Sequence, residues 1–311
     1  MTALLNVALP VFGIILAGYL TGRAKLLGAH ATEALNLFVF YIALPPLLFL
    51  AMARTEMARI LNWDFIGLYG LSMLGLYLVA LTVSRLVFKR SLGEAGLAGM
   101  AAIFGNTGYM GIPLTITAFG EEMALPAIIA TVMNSALVVG GVSALVEGAT
   151  RGGQGSLVVA GHVLRSLSRN PLVLGPLAGL TIGGLDLPLP TPVVTFCEIV
   201  GGAAGPCALF AIGLFLVGKP IAASLGEVGV MVALKLLVLP ALAFLMLPLF
   251  PGLDPDWARV LLIMTALPIG ANVFVLAMKH DTWVLPASSA TLLSTVLSVA
   301  TVSALLAWMG L

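Results

Sequence analysis

The sequence predicts an all-α polytopic membrane protein of ten transmembrane helices, arranged as two inverted five-helix repeats with broken fourth and ninth helices. Three observations predict it: an apolar composition, an internal repeat and a lopsided distribution of Lys and Arg. Of 311 residues, 60% are hydrophobic and 9% charged, with a mean hydropathy of +1.15. A soluble domain carries roughly 25% charged residues, so this chain has too little polar surface to face water. Cys197 and Cys207 share one apolar run and form no CxxC. They read as small buried hydrophobes.

The repeat is direct. Residues 125–145 (LPAIIATVMNSALVVGGVSAL) and 285–305 (LPASSATLLSTVLSVATVSAL) agree at 11 of 21 positions, at an offset of 160. At an offset of 161, Pro10, Leu16-Ala17-Gly18 and Gly22 return as Pro171, Leu177-Ala178-Gly179 and Gly183. Ala43, Pro45, Leu48 and Phe49 return as Ala204, Pro206, Leu209 and Phe210. Duplication of a whole polytopic chain is the usual construction of a transporter.

A spanning helix needs about 20 apolar residues. Stretches of that kind lie near 3–21, 34–53, 64–88, 95–118, 124–146, 171–187, 192–217, 225–249, 257–278 and 284–309. The first is followed, not preceded, by Arg23 and Lys25, the reverse of a signal peptide's charge order. The fourth and ninth are interrupted by Gly and Pro; the fifth and tenth carry the repeat. The seventh contains Glu198 and the eighth Lys235.

Loops after the odd-numbered stretches hold Arg23, Lys25, Arg85, Lys89, Arg90, Arg151, Arg165, Arg169, Lys219 and Lys279. The other side holds Arg54, Arg59 and Arg259. Ten against three puts the odd loops in the cytoplasm and both termini outside. Five spans per repeat is an odd number, so the second half (169–311) enters the membrane inverted relative to the first (1–148). A Gly/Ser/Arg-rich cytoplasmic linker (149–168) joins them. Inverted halves can exchange conformations and open a central site to each side in turn.

The fourth stretch contains Gly105-Asn106-Thr107-Gly108-Tyr109-Met110-Gly111-Ile112-Pro113. Pro113 removes a backbone donor and clashes with the preceding turn, and the glycines weaken the helix further. The ninth has Ala266-Leu267-Pro268-Ile269-Gly270-Ala271-Asn272. Two broken helices at corresponding positions point to a substrate site, and half-helix N-termini favour an anion. Asn106 and Asn272 hydrogen-bond without the desolvation cost of a buried charge. Thr131, Asn134, Ser135, Ser288, Ser289 and Thr291 offer further neutral oxygens. Glu198 and Lys235 are charges inside spans, functional candidates by their cost alone. Their repeat counterparts are Leu37 and Leu74. They pair with each other, or Lys235 faces a cavity and attracts an anion, or it snorkels.

At these residues the chain resembles the auxin efflux carrier family, which includes plant PIN proteins and bacterial malate and malonate carriers. Asn106-Thr107-x-x-Met110-Gly111-Ile112-Pro113 looks like the family's N-T-x-x-M-G-I-P. Ala266-Leu267-Pro268-x-Gly270 with Phe274-Val275 and Ala277 resembles its A-L-P-x-G-x-x-x-F-V-x-A, and Gly213-Leu214-Phe215 its G-L-F. The resemblance implies a homodimer in a bacterial inner membrane. Helices 1, 2, 6 and 7 would form a scaffold, and helices 3–5 and 8–10 a transport domain moving as an elevator. It makes Asn106 the expected ligand of a substrate carboxylate, with Thr107, Tyr109, Gly111, Pro113, Pro268, Gly270 and Asn272 around it. Val273 and Asn272 depart from the plant pattern, and the long hydrophilic loop is absent. These departures favour a small organic acid such as malonate or malate over auxin.

No HExxH, GxSxG or Walker sequence occurs. No enzyme activity, cofactor, metal or nucleic-acid partner is expected. The alternatives are a sodium- or proton-coupled carrier of the bile-acid or sodium/proton type, and a membrane receptor without transport.

Overall fold

The structure, a computed structural model, describes residues 9–28, 30–54, 62–151, 168, 171–218 and 224–310. The start of the first apolar stretch and most of the 149–168 linker lie outside these residues, as do Arg59, Arg165, Arg169 and Lys219. The described chain is helical: α1 (Leu9–Arg23), α2 (Ala31–Ala53), α3 (Trp63–Leu86), α4 (Leu92–Ile103) and α5 (Ile112–Phe119). There follow α6 (Ala124–Met133 and Gly140–Arg151, joined by a π turn), α7 (Pro171–Gly184), α8 (Thr191–Phe215) and α9 (Leu225–Leu249). The chain ends with α10 (Pro255–Ala266), α11 (Asn272–Lys279) and α12 (Val284–Trp308). Helices α2, α3, α8, α9 and α12 are each long and apolar enough to cross a membrane. With Leu245, Leu249, Leu86 and Ile199 all exposed, the outer surface suits lipid and the protein is a polytopic membrane protein.

Local chemistry sets the helix ends. The Asn62 Oδ1 accepts from Phe65 N at 2.9 Å to start α3. Ser91 and Glu94 form a reciprocal capping box on α4, satisfying two orphan donors. Asp254 caps α10 ahead of Pro255, where a missing N–H costs nothing.

Packing sorts the helices into two groups. In one, α1 lies against α8 and α7 against α2. These contacts depend on small residues. A Cβ on Gly18 would overlap the Phe210 carbonyl oxygen, and one on Gly179 the Phe49 carbonyl oxygen. Those two contacts are the same contact displaced by 161 in both residues, so the repeat is expressed in the packing. Gly175, Gly179 and Gly183 line one face of α7 at four-residue spacing against Pro45, Phe49 and Ala53, close backbone approach of the kind that joins membrane helices. In the other group, α3, α4, α6, α9, α10 and α12 pack on one another. One end of this group is tied by Glu227, 1% exposed, which accepts from Arg90 at 2.8 Å and from Ser84 at 3.1 Å. The hydrogen bond to Glu227 raises the pKa of Arg90.

Gly179→Ala is expected to destabilise the protein by about 1–3 kcal/mol through overpacking. Gly75→Ala, in an open part of α3, should be neutral or slightly stabilising. Thermal melting in detergent compares them, and equal melting temperatures would show that α7 and α2 are free to separate.

Candidate functional site

Both breaks are made by backbone that cannot stay helical. Leu267 precedes Pro268, which disfavours the α region, and it is extended (φ −61°, ψ 151°). Phe104 is extended as well (φ −76°, ψ 102°) ahead of Gly105. The two extended pieces then pair. Asn106 N donates to Pro268 O at 2.9 Å, and Gly270 N donates to Phe104 O at 3.0 Å, an antiparallel bridge centred on Gly105 and Ile269. Glycine is needed for the approach: a Cβ on Gly270 would lie 2.5 Å from the Phe104 ring, and one on Gly111 2.7 Å from Leu267.

Within the Gly105–Pro113 stretch the helix is left at 104–106, with Asn106 at the break as the sequence predicts. Pro113 sits in the first turn of α5, after a π turn at Thr107–Gly111, and packs on Gly205 of α8. Asn106 O accepts from Met110 N and Gly111 N, both at 3.1 Å, and so closes that π turn.

A second layer holds the bridge. Asn134, 1% exposed on α6, donates from Nδ2 to Gly105 O (3.3 Å) and to Thr107 Oγ1 (3.2 Å). Its Oδ1 accepts from Tyr69 OH at 3.3 Å. On the other side, Ile269 N donates to Ser294 Oγ at 3.0 Å. Asn134 and Ser294 are 160 apart, the offset at which their helices align, so each repeat supplies one anchor to its own break.

Two chambers adjoin the crossing. The larger, about 140 Å³, is lined by Asn36, Asn106, Tyr109, Phe215, Asn272 and Thr295, among others. The smaller, about 40 Å³, has the first residues of both half-helices in its wall: Thr107, Gly108 and Tyr109 on one side, Gly270, Ala271 and Asn272 on the other. Among the described residues, no charged side chain lines either chamber. The Asn106 side chain forms no hydrogen bond within its own helix, and the Tyr109 hydroxyl donates to Asn36 O at 3.4 Å. Phe215 lines the larger chamber and also a cavity of about 530 Å³ beside Lys25 and Thr32. Its ring packs edge-on against Phe274 at 5.9 Å.

Of the residues expected at the site, Asn106, Tyr109 and Asn272 line both chambers, and Thr107 and Gly270 the smaller one. Gly111, Pro113 and Pro268 frame the crossing instead. Glu198 and Lys235 do not pair. Glu198 binds Arg54 at 2.8 Å, both half-exposed, in a separate cavity of about 630 Å³ that also contains Glu121 and Glu122. Lys235 is buried and donates to Thr265 O. Asn36, Tyr69, Ser294 and Thr295 escaped the sequence reading. The repeat offset from Asn134 would have found Ser294; nothing local marks Asn36 or Tyr69, whose roles arise from helices far away in sequence.

Asn134→Ala should strip Gly105 O and Tyr69 OH of their partner and cost about 1–3 kcal/mol. Asn106→Ala, which removes no protein hydrogen bond seen among the described residues, should leave the ligand-free melt unchanged. Identical melting of parent and Asn134→Ala would mean that the amide does not hold the break.

Comparison with known proteins agrees with this architecture. The family described as "Membrane transport protein" matches residues 4–306. A "Putative malonate transporter" of Rhizobium meliloti is 33% identical over 306 residues, covering 98% of this chain and 96% of that one. "Uncharacterized transporter YfdV" of Escherichia coli K12 is 23% identical over 279 residues, 88% of each chain. An "Uncharacterized transporter" of Methanothermobacter thermautotrophicus is 26% identical over 302 residues, 94% of this chain and 93% of that one. The chain is thus a membrane transporter and belongs to the membrane transport protein family, the auxin efflux carrier family whose motifs lie at its two breaks.

Proposed function

We propose that the protein is a secondary transporter that moves a small organic anion, a carboxylate of malonate size, across the cytoplasmic membrane by an elevator motion. The observation that carries this reading is the meeting of two half-helix N-termini around the uncharged polar chambers at Asn106 and Asn272. The first N–H groups of each half-helix lack intrahelical partners and carry partial positive charge. A carboxylate seated there gains charge-assisted hydrogen bonds without needing a basic side chain in contact. The printed name of the Rhizobium meliloti relative supports malonate among the substrates to try first.

In this reading α1, α2, α7 and α8 are the scaffold, through which two copies associate as a homodimer. The group α3–α6 with α9–α12 carries the crossing as one moving body. Support comes from the sorting of the helices into those two packing groups. The ten apolar stretches are spans in two inverted repeats, supported by the matched glycine contacts at Gly18 and Gly179. Both termini face outside, which puts Lys25 and the cavity at Phe215 on the cytoplasmic side.

Asn106→Ala should weaken malonate binding tenfold to a hundredfold, the loss of a hydrogen bond to a charged acceptor. Asn106→Asp should be worse, since it sets a negative charge against the anion. Calorimetry with a ligand-free melt alongside measures both; unchanged affinity would remove Asn106 from the site. For orientation, a cysteine at Gly310 in a Cys197→Ser, Cys207→Ser background should react with impermeant reagent on intact cells. Labelling only after lysis would reverse the topology.

A further inference from the structure

Lys235 is fully buried (0% exposed) in a π turn of α9, Leu234–Val238. Glu198 pairs with Arg54 and Glu227 with Arg90, and no ion pair among the described residues includes Lys235. The Nζ donates to Thr265 O in the last turn of α10. That carbonyl is one of the four that a helix end leaves without an intrahelical donor, and the negative end of the helix dipole favours a cation there. The Nζ also lies 3.5 Å from where a Cβ on Gly105 would project. The Nζ therefore stands behind the residue that bridges to Ile269, while the next residue, Asn106, faces the chambers. Lys235 lines neither chamber, so it acts on a ligand across a layer of backbone and not by contact.

We propose that Lys235 is the carried counter-charge of the transported anion. This rests on the elevator reading: α9 packs on α3, α4, α10 and α12, so Lys235 travels with the crossing. A charge moved through a low-dielectric barrier is costly unless compensated. With a monoanion in the chamber, the moving body crosses with no net charge from the site. With a dianion it carries one negative charge, and empty it carries one positive charge. The charge translocated per full cycle is that of the anion alone; Lys235 decides which step feels the membrane potential. In protein without Lys235, the loaded step would bear the anion's whole charge.

The test is tracer homoexchange in proteoliposomes, in which only the loaded body crosses, at zero potential and at a potential of about 100 mV set by a potassium gradient and valinomycin. The probes are malonate, a dianion at neutral pH, and its monoamide, a monoanion of the same shape. In the parent, monoamide exchange should ignore the potential and malonate exchange should change several-fold. In Lys235→Met, monoamide exchange should become potential-sensitive, and monoamide binding should weaken on the order of tenfold. Lys235→Arg should behave as the parent. Monoamide exchange by folded Lys235→Met that still ignores the potential would overturn the proposal. So would parent exchange in which both probes respond alike, and that comparison decides the matter even where Lys235→Met cannot be purified. Exchange of neither probe by the parent would instead defeat the transport reading, and this inference with it.

Discussion

Two backbone hydrogen bonds, Asn106 N to Pro268 O and Gly270 N to Phe104 O, are the constraint on which the rest depends. Inside a membrane each unpaired peptide group costs several kcal/mol. A single broken helix in a bilayer would therefore leave groups with no partner, whereas two broken helices brought together supply each other's. Duplication of the sequence delivers such a pair, because it supplies a second break to meet the first. Asn134 and Ser294 then fix each strand of the bridge from its own repeat, and the glycines at 105, 111 and 270 let the pieces approach.

The chambers follow from this bridge. Once the chain has left the helix to pair, it must restart, and both restarts fall beside the bridge. Their first turns and the amides of Asn106 and Asn272 then face the same small space. The polarity that the site needs is thus backbone polarity, exposed by the breaks themselves. No charged side chain among the described residues lines that space, and the buried Lys235 is turned away from it to the C-terminal end of α10.

Much of this was legible in the chain. Helix positions follow from apolar run length, so that the stretches near 64–88 and 225–249 differ from α3 and α9 by at most two residues at either end. The existence of two breaks was legible from Gly and Pro, and Asn106 and Asn272 both line the chambers beside them. Which breaker between Gly105 and Pro113 opens the helix was not legible, because several lie together; pairing with Ile269 selects Gly105, and a π turn leads into Pro113. The partners of Glu198 and Lys235 were not legible either. Arg54 meets Glu198 only through packing of the two halves, and Thr265 meets Lys235 only through the packing of α9 on α10.

The bridge also constrains how the protein is made. Phe104 and Asn106 leave the ribosome more than 160 residues before Pro268 and Gly270. At roughly 5–20 residues per second, that interval is on the order of ten seconds. During that time the residues around Gly105 are without the strand that pairs with them. Biogenesis must therefore supply a temporary partner for these peptide groups, whether water, the insertion machinery or a continuous helix that opens later. The crossing cannot be finished until Gly270 has been made, although half of it is synthesised early.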